Sequence, residues 1–172
     1  KGRESRDALW KGIDRGDISI IATDHCPFQS YEKDWGKDDF TKIPNGCAGI
    51  ENMYPYMLSQ ANKGVLSFNK VVEVCCTNPA KLFGCAPQKG MLVPGADADI
   101  VIYDPGKEFT VSVKNMHSNY DHTIWEGTRL KGYPVATYSR GRLVYQDGEF
   151  LGKAGEGRFV KCNPIKHRSP KL

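Results

Sequence analysis

The chain has 172 residues, 40% apolar and 26% charged, and its 24 Lys and Arg against 20 Asp and Glu leave a formal charge of +4. That is ordinary globular composition, and it argues against a disordered or fibrous chain. The basic residues are dispersed among acids except in the tail from Lys161 to Lys171, so charge implies no nucleic-acid partner. No apolar run approaches the roughly eighteen residues a bilayer span requires, so neither a membrane helix nor a secretion signal is supported. The expectation is a cytoplasmic protein.

The sequence opens at Lys1-Gly2-Arg3 without an initiator methionine and reads as a piece of something longer. From Glu4 to Arg15, Ala8, Leu9, Trp10 and Ile13 fall at helical spacing, with Gly16 as a stop. The apolar run from Asp17 to Thr23 suits a strand buried on both faces, and Pro27 prevents its ladder from continuing. The strand delivers Asp24, His25 and Cys26 to its carboxyl end. In barrels of alternating strands and helices that end carries catalysis. Because neighbouring residues on a strand point to opposite faces, His25 reads as a supporting or packing residue rather than as a partner of Asp24 in one site.

A polar loop from Gln29 to Gly46 is long enough to be functional and is expected to border the site. Within it Asn45-Gly46 reads, on its own chemistry, as a tight turn. Ile50, Met53, Tyr54, Met57 and Leu58 predict one face of a helix from Ile50 through Ala61, with Pro55 tolerated near its start or at a kink. Another helix runs from Ser67 or Asn69 through Cys76, and Asn78-Pro79 breaks the pattern before a short turn at Ala80 to Phe83.

After Gly90 the pattern becomes a small β module, with strands at Asp99 to Tyr103, Phe109 to Val113, Val135 to Ser139 and Arg142 to Tyr145. Ser139-Arg140-Gly141-Arg142 and Gln146-Asp147-Gly148-Glu149 are compact turn signals that predict hairpin structure from Ala136 to Phe150. Beyond Gly157 the chain is expected to be extended or disordered unless a neighbouring subunit captures it. The six cysteines read as reduced thiols without zinc-knuckle spacing. Cys26 and Cys47 lie near the presumed site, but no base is evident that would make either a nucleophile. His117, His122 and His167 read as surface or structural groups.

Thr23-Asp24-His25-Cys26-Pro27-Phe28, Gly36-Lys37-Asp38-Asp39-Phe40, and Ile43-Pro44-Asn45-Gly46 with Gly49-Ile50-Glu51 closely resemble the dihydropyrimidinases and D-hydantoinases of the cyclic amidohydrolase superfamily. Asn78-Pro79-Ala80-Lys81-Leu82-Phe83-Gly84, and Lys89-Gly90 through Gly95-Ala96-Asp97-Ala98-Asp99-Ile100-Val101, resemble the wider superfamily. The resemblance covers nearly the whole chain and thins after Cys162. It implies an α/β plus β fold: the last units of a TIM-like (β/α)8 metal-dependent hydrolase barrel over residues 1–88, part of a small β-sandwich domain over 89–157, and an extended tail over 158–172.

The implied activity is hydrolytic ring opening of cyclic amides or imides, 5,6-dihydropyrimidines or hydantoins, over two divalent metal ions, zinc in most members. Asp24 matches the carboxylate on the last barrel strand that contacts a metal and relays the proton of the attacking hydroxide to the departing ring nitrogen. Asn45 matches the position whose main chain holds the polar edge of the ring. The remaining ligands, several histidines and a carboxylated lysine, lie in the family upstream of Lys1. The chain alone is therefore expected to be inactive and prone to associate. The resemblance also implies a small-molecule substrate and a homotetramer. The alternatives are a dihydroorotase, an allantoinase, or a non-catalytic dihydropyrimidinase-like scaffold protein that has lost the metal ligands.

Overall fold

The computed structural model describes residues 2–163. Its elements are five α-helices, Arg3–Arg15 (α1), Ser30–Lys33 (α2), Ile50–Asn62 (α3), Phe68–Val72 (α4) and Asn78–Leu82 (α5), then four strands, Ile100–Thr110 (β1), Arg129–Ser139 (β2), Arg142–Gln146 (β3) and Glu149–Phe150 (β4). Two compact units emerge. One comprises Lys1–Ile21, Leu66–Ile102 and Val135–Leu172, the other Ala22–Val65 and Tyr103–Pro134. Among the described residues no helix is long and apolar enough to cross a membrane.

In the first unit, α1 ends at Gly16, whose φ of 87° lets its N–H return to the Ile13 carbonyl at 3.1 Å. That is the expected glycine stop. The apolar run that follows is not a strand. A strand exists by virtue of a ladder, and residues 18–24 have no ladder partner among the described residues,. Ile21 instead donates its N–H to the Val74 carbonyl at 3.1 Å.

That carbonyl is free to accept because Asn78-Pro79 does not end the helical path as the sequence suggested. A π turn over Glu73–Thr77 joins α4 to α5: Asn78 donates its N–H to the Glu73 carbonyl, and Pro79, next in line, has no N–H to offer the Val74 carbonyl,. Ser67 Oγ caps α4 by accepting the Lys70 N–H at 3.0 Å, and Val71 and Val74 are fully buried. Asn78 Nδ2 holds the Ser19 carbonyl at 2.8 Å. Cys85 Sγ and Cys162 Sγ lie 3.1 Å apart as free thiols.

The strands form one sheet in the order β1-β2-β3-β4, with β2/β3 and β3/β4 antiparallel. Both connections are two-residue turns with positive φ throughout, 49° and 75° at Arg140-Gly141 and 47° and 98° at Asp147-Gly148. This twist matches that of the flanking strands. The two strands expected at 99–103 and 109–113 are one. Asp104-Pro105-Gly106 continues β1 because β1 is an edge strand, where proline's missing N–H removes no ladder bond,. β2 likewise begins six residues before Val135, passing through Gly132 at φ 87°.

In the second unit, α3 accommodates Pro55 within its length and buries Met57 and Leu58 as expected, but the buried face also takes in residues outside the predicted stripe. Ile50 is 58% exposed, whereas Asn52 and Ser59 are buried. Ser59 goes inside because another chain segment meets it: its Oγ accepts the Lys131 N–H at 3.0 Å. Asn62 Nδ2 bridges the carbonyls of Pro105 (3.0 Å) and Lys131 (3.2 Å).

Candidate functional site

Asp24 is exposed and has a φ of 47°, in the left-handed region that costs a residue with a side chain free energy,. Aspartate tolerates it better than a branched residue would. Immediately after it the backbone is fixed on both sides. The His25 N–H donates to Thr23 Oγ1 at 3.1 Å, and the Cys26 N–H donates to the Cys47 carbonyl at 3.2 Å, making a short parallel bridge between His25 and Cys47.

The His25 ring completes the attachment. Its Nδ1 accepts the N–H groups of Gly49 (3.0 Å) and Ile50 (3.2 Å), two of the orphan donors at the start of α3, and so carries no proton itself,. This agrees with the supporting role expected of it. Asp24 is thereby tied to the segment 46–50, and the closeness of the two segments dictates Gly46. That residue has a φ of 124°, and a Cβ placed on it would lie 2.4 Å from the Cys26 Cβ.

Asn45 precedes this contact and is exposed. On either side of it, the carbonyls of Pro44 and Gly46 both accept from Lys33 Nζ, the latter at 2.9 Å. The same ammonium sits 4.8 Å from the centre of the Phe28 ring, a cation–π contact,. Among the described residues the Asn45 main-chain N–H and C=O and the Asp24 carboxylate make no hydrogen bond or ion pair. The two sequence-derived candidates therefore lie on one backbone-bridged pair of segments, each with polar groups open to solvent.

Lys33 was not singled out in the sequence. The loop expected at Gln29–Gly46 is in fact built of short helical turns: α2 followed by 3₁₀ turns at Asp34–Gly36 and Phe40–Lys42. Glu32 Oε2 accepts the Gln29 N–H at 2.7 Å, starting α2, and Asp121 Oδ1 accepts the Ser30 N–H at 2.9 Å. Thr41 donates its hydroxyl and its N–H to Asp39, which holds that carboxyl below its ordinary range. The signal that could have exposed Lys33 is weak, namely a lysine on a short polar turn eleven residues before Pro44.

At the start of α3, Glu51 accepts the N–H of His117 (2.9 Å) and both donors of Ser118. Burial raises its pKa, but the bonds from Ser118 and His117 outweigh burial and hold the carboxyl below its usual value. His122 Nδ1 lies 2.9 Å from Asp121 and 3.3 Å from Ser30 Oγ. Both histidines thus serve loop structure, and His167 falls outside the described residues. Cys26 and Cys47 are free thiols. Among the described residues there is no group of three or more His, Cys, Asp or Glu side chains that would hold a metal ion.

The amidohydrolase family model matches residues 1–144. A D-phenylhydantoinase of Escherichia coli O1:K1 is 42% identical over 162 residues, which is 93% of this chain and 35% of that protein. A D-hydantoinase of Streptomyces coelicolor is 39% identical over 159 residues, 92% of this chain and 34% of that protein. The solved structure of the dihydropyrimidinase from Brevibacillus agri superposes with a TM-score of 0.90 at 40% identity, covering 94% of this chain and 36% of that one. The chain thus spans about a third of the length of the relatives it matches.

Proposed function

The chain belongs to the amidohydrolase family, and from that premise we propose that it supplies part of the active site of an enzyme that hydrolytically opens 5,6-dihydropyrimidine or hydantoin rings. The observation that carries the proposal is the pairing of an unpartnered carboxylate, Asp24, with unpartnered main-chain groups at Asn45, on segments joined by the His25–Cys47 bridge.

The family is metal-dependent. Bound divalent ions, two zinc ions in this reading, supply a water acidified towards neutral pH. The residues described here offer one oxygen donor to such a centre, Asp24, and no cluster able to hold an ion unaided. What this chain contributes is proton transfer and alignment. As the water oxygen bonds to the ring carbonyl carbon, Asp24 accepts the water's proton and returns it to the ring nitrogen when the carbon–nitrogen bond breaks. The Asn45 N–H and C=O align the ring by hydrogen bonding to an adjacent carbonyl and N–H on it.

Within the same reading, residues 1–88 form the last units of a (β/α)8 barrel and 89–157 belong to a small β-sandwich domain; of the tail expected over 158–172, residues 164–172 lie outside the described residues. The assembled enzyme is a cytoplasmic homotetramer. The test is Asp24→Asn in the full-length enzyme, assayed on dihydrouracil and hydantoin. The expected result is a fall in kcat of about 10²–10⁴-fold with KM little changed. Retention of wild-type kcat would remove Asp24 from the chemistry and the reading with it.

A further inference from the structure

We infer that Lys33 is a positioning residue whose ammonium, by holding the Pro44 and Gly46 carbonyls, presents the Asn45 main chain to the amide edge of the substrate ring. The inference rests on the proposed function for the identity of the ring and on the structure for everything else.

A lysine ammonium has three donors and no acceptor. In this chain two of them go to carbonyls exactly one residue either side of Asn45, and the cation faces the Phe28 ring at 4.8 Å. Lys33 is half-buried, so these contacts are made with reduced competition from water,. Nothing else among the described residues hydrogen-bonds the backbone of 44–46, which has neither a helix nor a ladder to hold it. A three-residue stretch of that kind would otherwise sample many conformations. Lys33 is itself held at the end of α2, whose first N–H groups are bound by Glu32 and Asp121.

Which groups are taken up and which are left open to solvent is what shapes the recognition. With the flanking carbonyls occupied, the Asn45 main chain is left with one donor and one acceptor of its own. A donor and an acceptor on the same residue complement a ring carrying C=O next to N–H. A ring whose N–H is methylated cannot satisfy the Asn45 carbonyl. Sites built to hydrogen-bond a substrate group reject analogues that lack it, provided the site is rigid. Lys33 is the source of that rigidity.

The experiment uses the full-length enzyme with Lys33→Met, Lys33→Arg and Asp24→Asn, assayed on the unsubstituted ring and its N-methyl analogue. Lys33→Met is expected to raise KM about tenfold with a smaller change in kcat, and to reduce the preference for the N–H ring over the N-methyl ring at least fivefold. Lys33→Arg, which keeps a charged donor, should restore most of that preference. Phe28→Leu, removing the cation–π contact alone, should raise KM about threefold. A general loosening of the fold would lower activity on both rings alike, so an unchanged preference in Lys33→Met overturns the inference. Should Lys33→Met fail to fold, Lys33→Arg decides: full preference supports the inference, and a preference lost despite native thermal stability overturns it. Failure of the functional reading is distinct, because it would show as wild-type turnover by Asp24→Asn.

Discussion

The stretch from Asp24 to Ile50 and the meander β2-β3-β4 are both short, both rich in turns, and held together in opposite ways. In the meander each strand pairs with its sequence neighbour through a two-residue turn, and the N–H groups of the first turn, at Arg140 and Gly141, are taken up by Asp99 Oδ1 and the Ala98 carbonyl. In the Asp24–Ile50 stretch the contacts skip 11, 13 and 24 residues, and polar groups at Asp24 and Asn45 are left over. A meander whose turn groups are already bonded has little to offer a ligand. A segment braced from a distance does, because the bracing groups are not the ones the chemistry needs.

The largest expected effect is on activity. Since the described residues contain no metal-holding cluster, residues 1–172 on their own should show no hydrolysis of dihydrouracil or hydantoin with added zinc, even where circular dichroism reports the meander intact. Metal-dependent turnover from the isolated chain would break the contrast between an incomplete site and a complete sheet.

Glycines sharpen it next. Gly46→Ala places a Cβ against Cys26 at a φ of 124°, and should cost about 3 kcal/mol and expose the Cys26 amide to hydrogen exchange,. Gly148→Ala also imposes a left-handed φ, 98°, but meets no atom within 4 Å, so it should cost only about 1 kcal/mol in thermal unfolding and leave substrate turnover in the full-length enzyme unchanged,.

The smallest effect is one of pH. The folded-state pKa of Glu51 lies below its ordinary value of 4.5. Its stabilising contribution is therefore fully present above about pH 4.5 and is lost as pH falls through the lowered folded value. The difference in melting temperature between the wild type and Glu51→Gln should be flat above pH 5 and shrink below it. A difference that instead grows on acidification would show that the bonds to His117 and Ser118 do not favour the charged carboxylate.

Much of this was legible in the residues. Helix α1 and its glycine stop, helix α3, and the Asp147-Gly148 turn follow from spacing and from the conformations glycine and aspartate tolerate, which are properties of a few adjacent residues, whereas Arg140 at φ 49° is held by the distant Asp99. The reading failed where a distant partner decides. The run before Asp24 has strand composition without a ladder, the helical path continues through Asn78-Pro79 by way of a π turn with Ile21 taking up the Val74 carbonyl, and Asp104-Pro105-Gly106 stays extended because it lies on a sheet edge. The family and the candidate carboxylate were visible in motifs around Asp24 and Asn45.

By itself, then, the sequence determined the family, the local turns and which residues carry suitable chemistry, since these depend on residue identity and near neighbours. Only the tertiary structure decided that His25 caps α3 and that Lys33 braces the residues around Asn45. Those contacts depend on where the chain returns after many residues, and no local propensity encodes the return.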